Sequence, residues 1–331
     1  MKTLILGEAE IKRILTMKDT LAAVEQCFAA FGRGEVLMPP KVYLNYAKYN
    51  GDIRVMPSYV EKMGISGVKV VNVHPDNPKK HKLRSVMATL LMIEPKTGVP
   101  LAIFDATHIT LMRTGAAAGI ATKYLARKNA STLALVGAGM QAWTQLEAIV
   151  LVRKISRVLV YDIARKVSEQ FVRRFRRRHP GIRFEICGSI EECVRPADIL
   201  CTLTPVRRPI VKSAWVRPGT HINAMGADAE GKEELDPALL KRAKVVIDDW
   251  AQASHSGEIN VPLHAGLFAR KDVAAEVGQV VAGLKPGRTR PSDITIFDST
   301  GLGVQDLVTA ARIYKLAQTR KLGKRFDLVE G

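Results

Sequence analysis

Gly137-Ala138-Gly139-Met140-Gln141-Ala142 is a G-x-G-x-x-A run that directly follows the apolar stretch 133–136 and opens a helical pattern over 141–152. In that setting the first glycine permits a tight turn and the second lets the backbone approach a pyrophosphate. Ala142 is small enough for close helix–strand packing. The helix start adds free N–H groups and the positive end of its dipole. Asp162 ends the next apolar run, 25 residues after Gly137. An acid there accepts hydrogen bonds from a ribose diol and repels a 2′-phosphate, which points to NAD over NADP, with Arg165 and Lys166 close by to soften the preference.

A second group of polar residues lies at strand ends and turns. Arg54 falls in Asp52-Ile53-Arg54-Val55-Met56-Pro57, and Lys69 stands between valines. A lysine in a strand interior is either snorkelling or salt-bridged, or it is a carboxylate clamp or an amine with a shifted pKa. Asp228 follows a Gly-Ala pair at the expected end of a strand over 221–225, the rim where doubly wound sheets bind ligands. It reads either as a turn-stabilising aspartate or as a proton acceptor for water. The seven histidines show no metal-ligand spacing, so no metal is expected.

The elements that must position these residues fall into two textures. Over the first hundred residues a helix is expected at 18–32, with strands at 42–46, 52–56, 68–73, 86–93 and 101–104. That pattern gives a mostly antiparallel sheet with a helix, an α+β unit. From Thr114 a small-residue helix opens at Gly115, and strands at 133–136, 158–161, 184–187, 199–203, 221–225, 245–247 and 294–297 then alternate with helices. Ser189 and Glu192 have capping-box spacing for one of them. Repeated βα units imply a parallel sheet with right-handed crossovers. A final helix is expected over 307–319, followed by an exposed basic tail.

With 331 residues, 47% of them hydrophobic, disorder is excluded and about two domains are expected. Lys and Arg outnumber Asp and Glu by 50 to 32, a formal charge of +18. The densest basic run, Arg173-Arg174 and Arg176-Arg177-Arg178, shares a helix with Val167, Phe171 and Phe175 at spacing i, i+4, i+8. It therefore reads as the wet face of an amphipathic helix, and no nucleic-acid partner is expected. The four cysteines lack CxxC spacing and read as reduced, mostly buried residues. The apolar run at the N-terminus is too short for a signal peptide, and no stretch approaches the roughly 20 apolar residues of a membrane span. A cytoplasmic protein with no membrane partner is expected.

Across nearly its whole length the sequence resembles the ornithine cyclodeaminase/mu-crystallin family. The blocks are Arg54-Val55-Met56-Pro57, 69–75, Arg113-Thr114-Gly115-Ala116, 137–141, 226–235 and Asp298-Ser299-Thr300-Gly301-Leu302. The resemblance implies a Rossmann NAD-binding domain at 126–312 and an α+β substrate-binding and dimerisation domain made of 1–125 with 313–331, in a homodimer. It implies catalysis by Asp228 and Lys69, and a substrate held by Arg54, Lys69, Arg113, Thr300 and, at a position where many members carry arginine, Lys41. Cofactor contacts are implied for Ser85, Arg113, Gly137, Gly139, Met140, Gln141, Asp162, Thr202, Met225, Gly226, Ala227, Asp228, Lys232 and Ser299.

The activity most strongly implied is reversible oxidative deamination of L-alanine to pyruvate and ammonium. The alternatives are reduction of a cyclic imino acid such as pyrroline-2-carboxylate, ornithine cyclodeamination, and non-enzymatic nucleotide and ligand binding of the mu-crystallin kind. Arg54 stands where cyclising members carry an acid, and a cation there repels the δ-ammonium of ornithine. Ala229-Glu230 replaces a proline common beside Gly231, which puts the geometry of that turn in question.

Overall fold

The computed structural model describes residues 2–329. By its internal contacts the chain divides into two compact units, one running to Arg113 and resuming at Leu302, the other comprising Thr114–Gly301. These divisions precede the expected cuts at 125 and 312. The first lies within the helix Thr107–Leu125, and the second lies just before the helix Gly303–Arg320. Gly115 thus sits inside a helix that begins eight residues earlier, at Thr107, because apolar and small residues continue the helical face on both sides of it.

The first unit is built on an eight-stranded sheet. Its central strands Gly51–Val60, Ile65–Val73, Val86–Ile93 and Pro100–Asp105 are antiparallel neighbours, and their alternation of buried and half-buried residues marks a sheet with one face on the core. Val36–Leu37 and Val42–Tyr46 both pair with Gly51–Val60. At the other side Thr3–Leu6 runs parallel to Pro100–Asp105, and Lys324–Phe326 pairs antiparallel with Thr3–Leu6. The basic tail is therefore an edge strand, though its side chains are exposed as expected. Lysine and arginine on an edge strand suit it, since their charge discourages further strand pairing.

The second unit is a Rossmann-type parallel sheet. Its eight strands run in the order Arg183–Ile186, Arg157–Tyr161, Thr132–Val136, Ile199–Thr202, His221–Ala224, Ile294–Asp298, Ala243–Ile247, Val273–Glu276. The first three strands in sequence run one way from Thr132–Val136, and Ile199–Thr202 lies on its other side. The topological switch point therefore falls between these two strands. Both faces are covered, so these strands are buried along nearly their whole length without alternation, and the polar residues His221, Asn223 and Thr295 among them are hydrogen-bonded to one another. The arginine-rich helix Arg165–Arg176 buries Phe171, Val172 and Phe175 in the core on one side of this sheet. Ser189 caps its helix through the Glu192 N–H, while the Glu192 carboxylate reaches back to the Gly188 N–H. No helix among the described residues is long and apolar enough to cross a membrane.

Candidate active site

In the first unit, strand alternation puts Gly67, Lys69 and Val71 on the buried face of Ile65–Val73. The helix Gly303–Arg320 comes down on that face. A Cβ on Gly67 would stand 2.4 Å from Leu91 O of the neighbouring strand, which requires glycine there, and 3.1 Å from Leu307 Cδ1 of the helix, so the same glycine gives the helix room. The helix delivers Asp306. Lys69 Nζ donates to Asp306 Oδ2 at 2.6 Å and Arg113 Nε donates to Oδ1 at 3.1 Å. Thr110 Oγ1 donates to Ala106 O at 2.8 Å and stands 3.4 Å from Asp306 Oδ1, and Arg113 Nη1 donates to Gln305 Oε1 at 3.2 Å. Lys69, Arg113 and Asp306 are 1%, 6% and 0% exposed, so this is a buried, hydrogen-bonded charge network.

Burial pushes the Lys69 ammonium down to about 7, with Arg113 and Lys41 adding to the shift against the pull of Asp306. Burial alone would raise the Asp306 carboxyl, but Arg113 and Lys69 outweigh it and hold it below the usual carboxylate range. Lys69 is thus salt-bridged to Asp306, and burial draws its ammonium toward neutrality.

Arg54 is gripped by Asp52, with Nε donating to Oδ1 at 3.0 Å and Nη2 to Oδ2 at 3.1 Å, and its guanidinium lies 5.4 Å from the Tyr43 ring centre. The two residues are two apart on one strand and so share a face. Asp52 offsets the Arg54 charge, so repulsion of a second substrate amine is weaker than the residue type alone gives. Lys41 is half-buried just ahead of Val42–Tyr46. Ser85 is half-buried beside Val86–Ile93, and its carbonyl accepts the His74 N–H at 2.7 Å.

In the second unit the candidate residues gather at the carboxyl ends of adjacent parallel strands. Gly137 follows Thr132–Val136 with φ +99°, and a Cβ there would meet Leu203 O at 3.0 Å. Gly139 has open space around it and starts the helix Met140–Val152 with no side-chain cap, leaving its first turn to an outside acceptor. Met140 is exposed and Gln141 half-buried. Asp162 accepts the Ala138 N–H at 2.9 Å on one oxygen and the Ala164 N–H at 2.9 Å on the other. These bonds tie the glycine loop to the end of the second strand and leave each oxygen a lone pair for a diol. Thr202 ends the strand on the far side of the switch point, paired with Val136. This cradle fits a dinucleotide: a bare backbone turn, an uncapped helix start and an oriented acid.

The next strand, His221–Ala224, leads into Met225, Gly226, Ala227 and Asp228. Buried Glu234 fixes this turn, accepting the Gly226 N–H at 3.0 Å on one oxygen and the Thr204 N–H and hydroxyl at 2.7 and 2.6 Å on the other. Burial raises the Glu234 carboxyl above its ordinary range. The Ala229–Lys232 turn closes with a backbone bond of 3.2 Å, so it forms without the proline. Lys232 Nζ donates to Asp228 Oδ1 at 2.6 Å. Ser299 is buried at the end of Ile294–Asp298 and its N–H donates to Ala224 O at 3.1 Å. Thr300 is turned to Asp248, which accepts its N–H at 2.6 Å and its hydroxyl at 3.0 Å. Among the described residues no group of three His, Cys, Asp or Glu is placed to hold a metal ion.

The structure thus joins Lys69 to Arg113 in the first unit and gathers the loop, Asp162, Thr202, Met225–Asp228 and Ser299 at the strand ends of the second. Residues not singled out in the sequence are Asp306, Asp52, Glu234 and Asp248. Asp52 was legible, standing two positions before an arginine in a strand. Asp306 left a fainter trace, a Gln-Asp pair inside an otherwise apolar helical stretch.

The chain matches the ornithine cyclodeaminase/mu-crystallin family over residues 1–321. It is 46% identical to the alanine dehydrogenase of Archaeoglobus fulgidus over 98% of both chains. A solved archaeal alanine dehydrogenase dimer with bound NAD superposes at a TM-score of 0.95, with 47% identity, covering 99% of this chain and 100% of that one. The Thermococcus litoralis Δ1-pyrroline-2-carboxylate reductase, solved with NADH and L-proline, gives a TM-score of 0.93 with 39% identity over 97% of this chain and 99% of that one. The iminosuccinate reductase of Paracoccus denitrificans, solved with NAD+, gives 0.92 with 30% identity over 99% and 100%. The chain belongs to the ornithine cyclodeaminase/mu-crystallin family.

Proposed function

We propose that this protein is an NAD-dependent alanine dehydrogenase that interconverts L-alanine with pyruvate and ammonium. The observation that carries this reading is the full-length likeness to archaeal alanine dehydrogenase, stronger than the likeness to the pyrroline-2-carboxylate and iminosuccinate reductases. The residues such a reaction needs are present. NAD, held by the Gly137–Gly139 turn, Asp162 and Thr202, supplies the two-electron acceptor. Arg54, Arg113 and Lys41 supply positive charge for the substrate carboxylate. Lys69, with its proton labile near neutral pH, takes the proton that the substrate ammonium must lose before C=N forms. Asp228 accepts the proton of the water that attacks the imine carbon, and returns it in the reverse direction. Lys232 orients that carboxylate. The protein acts as a homodimer.

A second reading is reduction of a cyclic imino acid, favoured by the 39% identity to the reductase solved with L-proline. That reaction needs the carboxylate holder and the nucleotide but no attacking water. Steady-state oxidation of NADH with pyruvate and ammonium, set against NADH with pyrroline-2-carboxylate, separates the two. Dependence on ammonium supports the dehydrogenase, and turnover of only the cyclic imine overturns it.

A further inference from the structure

Lys69 and Arg113 are cations by type suited to a substrate carboxylate, yet both already share a carboxylate of the protein. Asp306, 237 residues from Lys69 in sequence, receives Lys69 Nζ on one oxygen at 2.6 Å and Arg113 Nε on the other at 3.1 Å. None of its surface reaches solvent. Two cations this deeply buried repel each other and lack water; without an anion between them neither keeps its place. We propose that Asp306 is the positioning residue of this site, fixing Lys69 and Arg113 in one geometry so that Lys69 gains and loses its proton without moving. This rests on the amino-acid dehydrogenase reading and adds to it a residue that acts through Lys69.

The trio itself comes from three elements, Lys69 from Ile65–Val73, Asp306 from Gly303–Arg320 and Arg113 from Thr107–Leu125. Lys41 precedes Val42–Tyr46 and opposes the Lys69 charge. Cys27, on Met17–Gly32, faces Asp306 as a thiol that burial pushes up, so it stays neutral. Among the main influences of the described residues Asp306 favours the Lys69 ammonium, while burial, Arg113 and Lys41 favour the amine. Removing the carboxylate therefore moves the Lys69 ionisation in one direction, downward.

The test compares wild type, Asp306→Asn and Asp306→Glu from about pH 4.5 to about pH 9, a window that holds both the wild-type Lys69 ionisation at about 7 and one lowered further by about one to two pH units. The readouts are kcat, KM, NADH affinity and Tm. Asp306→Asn is expected to lower kcat by about ten- to a hundredfold, as loss of alignment does. It is also expected to shift the Lys69 ionisation down by about one pH unit or more, with NADH affinity near normal. Asp306→Glu is expected to recover part of kcat and to return the ionisation toward wild type. A folded Asp306→Asn with wild-type kcat and pH profile overturns the proposal.

If Asp306→Asn does not fold, Asp306→Glu decides. Wild-type kcat, KM and profile with the carboxylate displaced by one methylene overturn the proposal, and a lowered kcat with a displaced ionisation supports it. If the wild type turns over none of the candidate substrates, the dehydrogenase reading fails separately. The Asp306 inference is then read from Tm: its deficit in Asp306→Asn shrinks as pH rises and Lys69 becomes neutral, and a deficit independent of pH overturns it.

Discussion

Lys232 Nζ donates to Asp228 Oδ1 at 2.6 Å, so the acid at the end of His221–Ala224 carries its own cation four residues on. The Asp228 side chain is 41% exposed, and an ion pair so open to water adds little stability. What it fixes is direction. One carboxylate oxygen is engaged, and the turn beneath is held by Glu234 through the Gly226 N–H. A carboxylate oriented in this way is fit to take a proton from water.

Replacing that base tests it. Asp228→Asn keeps the shape and removes the proton acceptor, and general base catalysis is worth roughly 10²–10⁴-fold, so kcat is expected to fall by that order. NADH affinity, measured on the same preparation, is expected to stay near normal because the glycine loop follows a different strand, Thr132–Val136. Near-normal turnover rejects the role. Loss of both turnover and NADH binding assigns Asp228 to shaping the turn.

Arg54 and Asp52 make a matched pair of tests. Arg54→Leu removes a charged hydrogen bond worth about 1.5–3 kcal/mol, so the KM for pyruvate is expected to rise by about ten- to a hundredfold. Asp52→Asn frees the guanidinium from its partner on the same strand. It is expected to change KM while leaving kcat within about threefold, an effect on binding rather than on the chemical step. Unchanged pyruvate kinetics in Arg54→Leu assigns the arginine to holding Asp52.

Asp162 is the residue expected to set cofactor choice. With one oxygen on the Ala138 N–H and the other on the Ala164 N–H, its carboxylate is fixed where a ribose diol would bind. The ratio of kcat/KM for NADH over NADPH is expected to exceed about tenfold, as a 2′-phosphate would face this anion. A preference for NADPH contradicts this and implicates Arg165, which is exposed and paired with Glu169 four residues on.

The parts legible in sequence are those with local signatures. The glycine loop was readable because its turn, helix start and acid recur at fixed spacing, and the structure adds their bonds. Most strands of both sheets are readable from apolar runs, with ends displaced by a few residues. Val36–Leu37 and Val273–Glu276 are missed, and so are Thr3–Leu6 and Lys324–Phe326, whose pairing joins the two ends of the chain. Asp306 was missed for the same reason. Its meaning lies in contacts with Lys69 and Arg113, 237 and 193 positions away, and no local pattern encodes them. Asp52 was the reverse case, adjacent in sequence but read as part of a strand rather than as the partner of Arg54.

Lys69 also makes a prediction about stability. Its folded-state pKa is about 7 against an ordinary 10.5. Between those values the unfolded chain holds a proton that the native state has released, so stability due to this group rises with pH across about 7 to 10, by at most about 1.4 kcal/mol per pH unit. Below about 7 both states are protonated and this dependence vanishes. Denaturant titrations of wild type and Lys69→Met across that range are expected to show wild type gaining relative to the variant as pH rises. A difference that stays flat with pH excludes a shifted lysine.

The central claim, oxidative deamination of alanine, is tested most directly by following NADH oxidation by the purified protein with pyruvate at increasing ammonium. The expected result is turnover that saturates in ammonium, yields L-alanine in stoichiometric amount with the NADH consumed, and exceeds the kcat/KM for pyrroline-2-carboxylate or iminosuccinate. Ammonium-independent turnover of either imine, with none of pyruvate, would contradict the account.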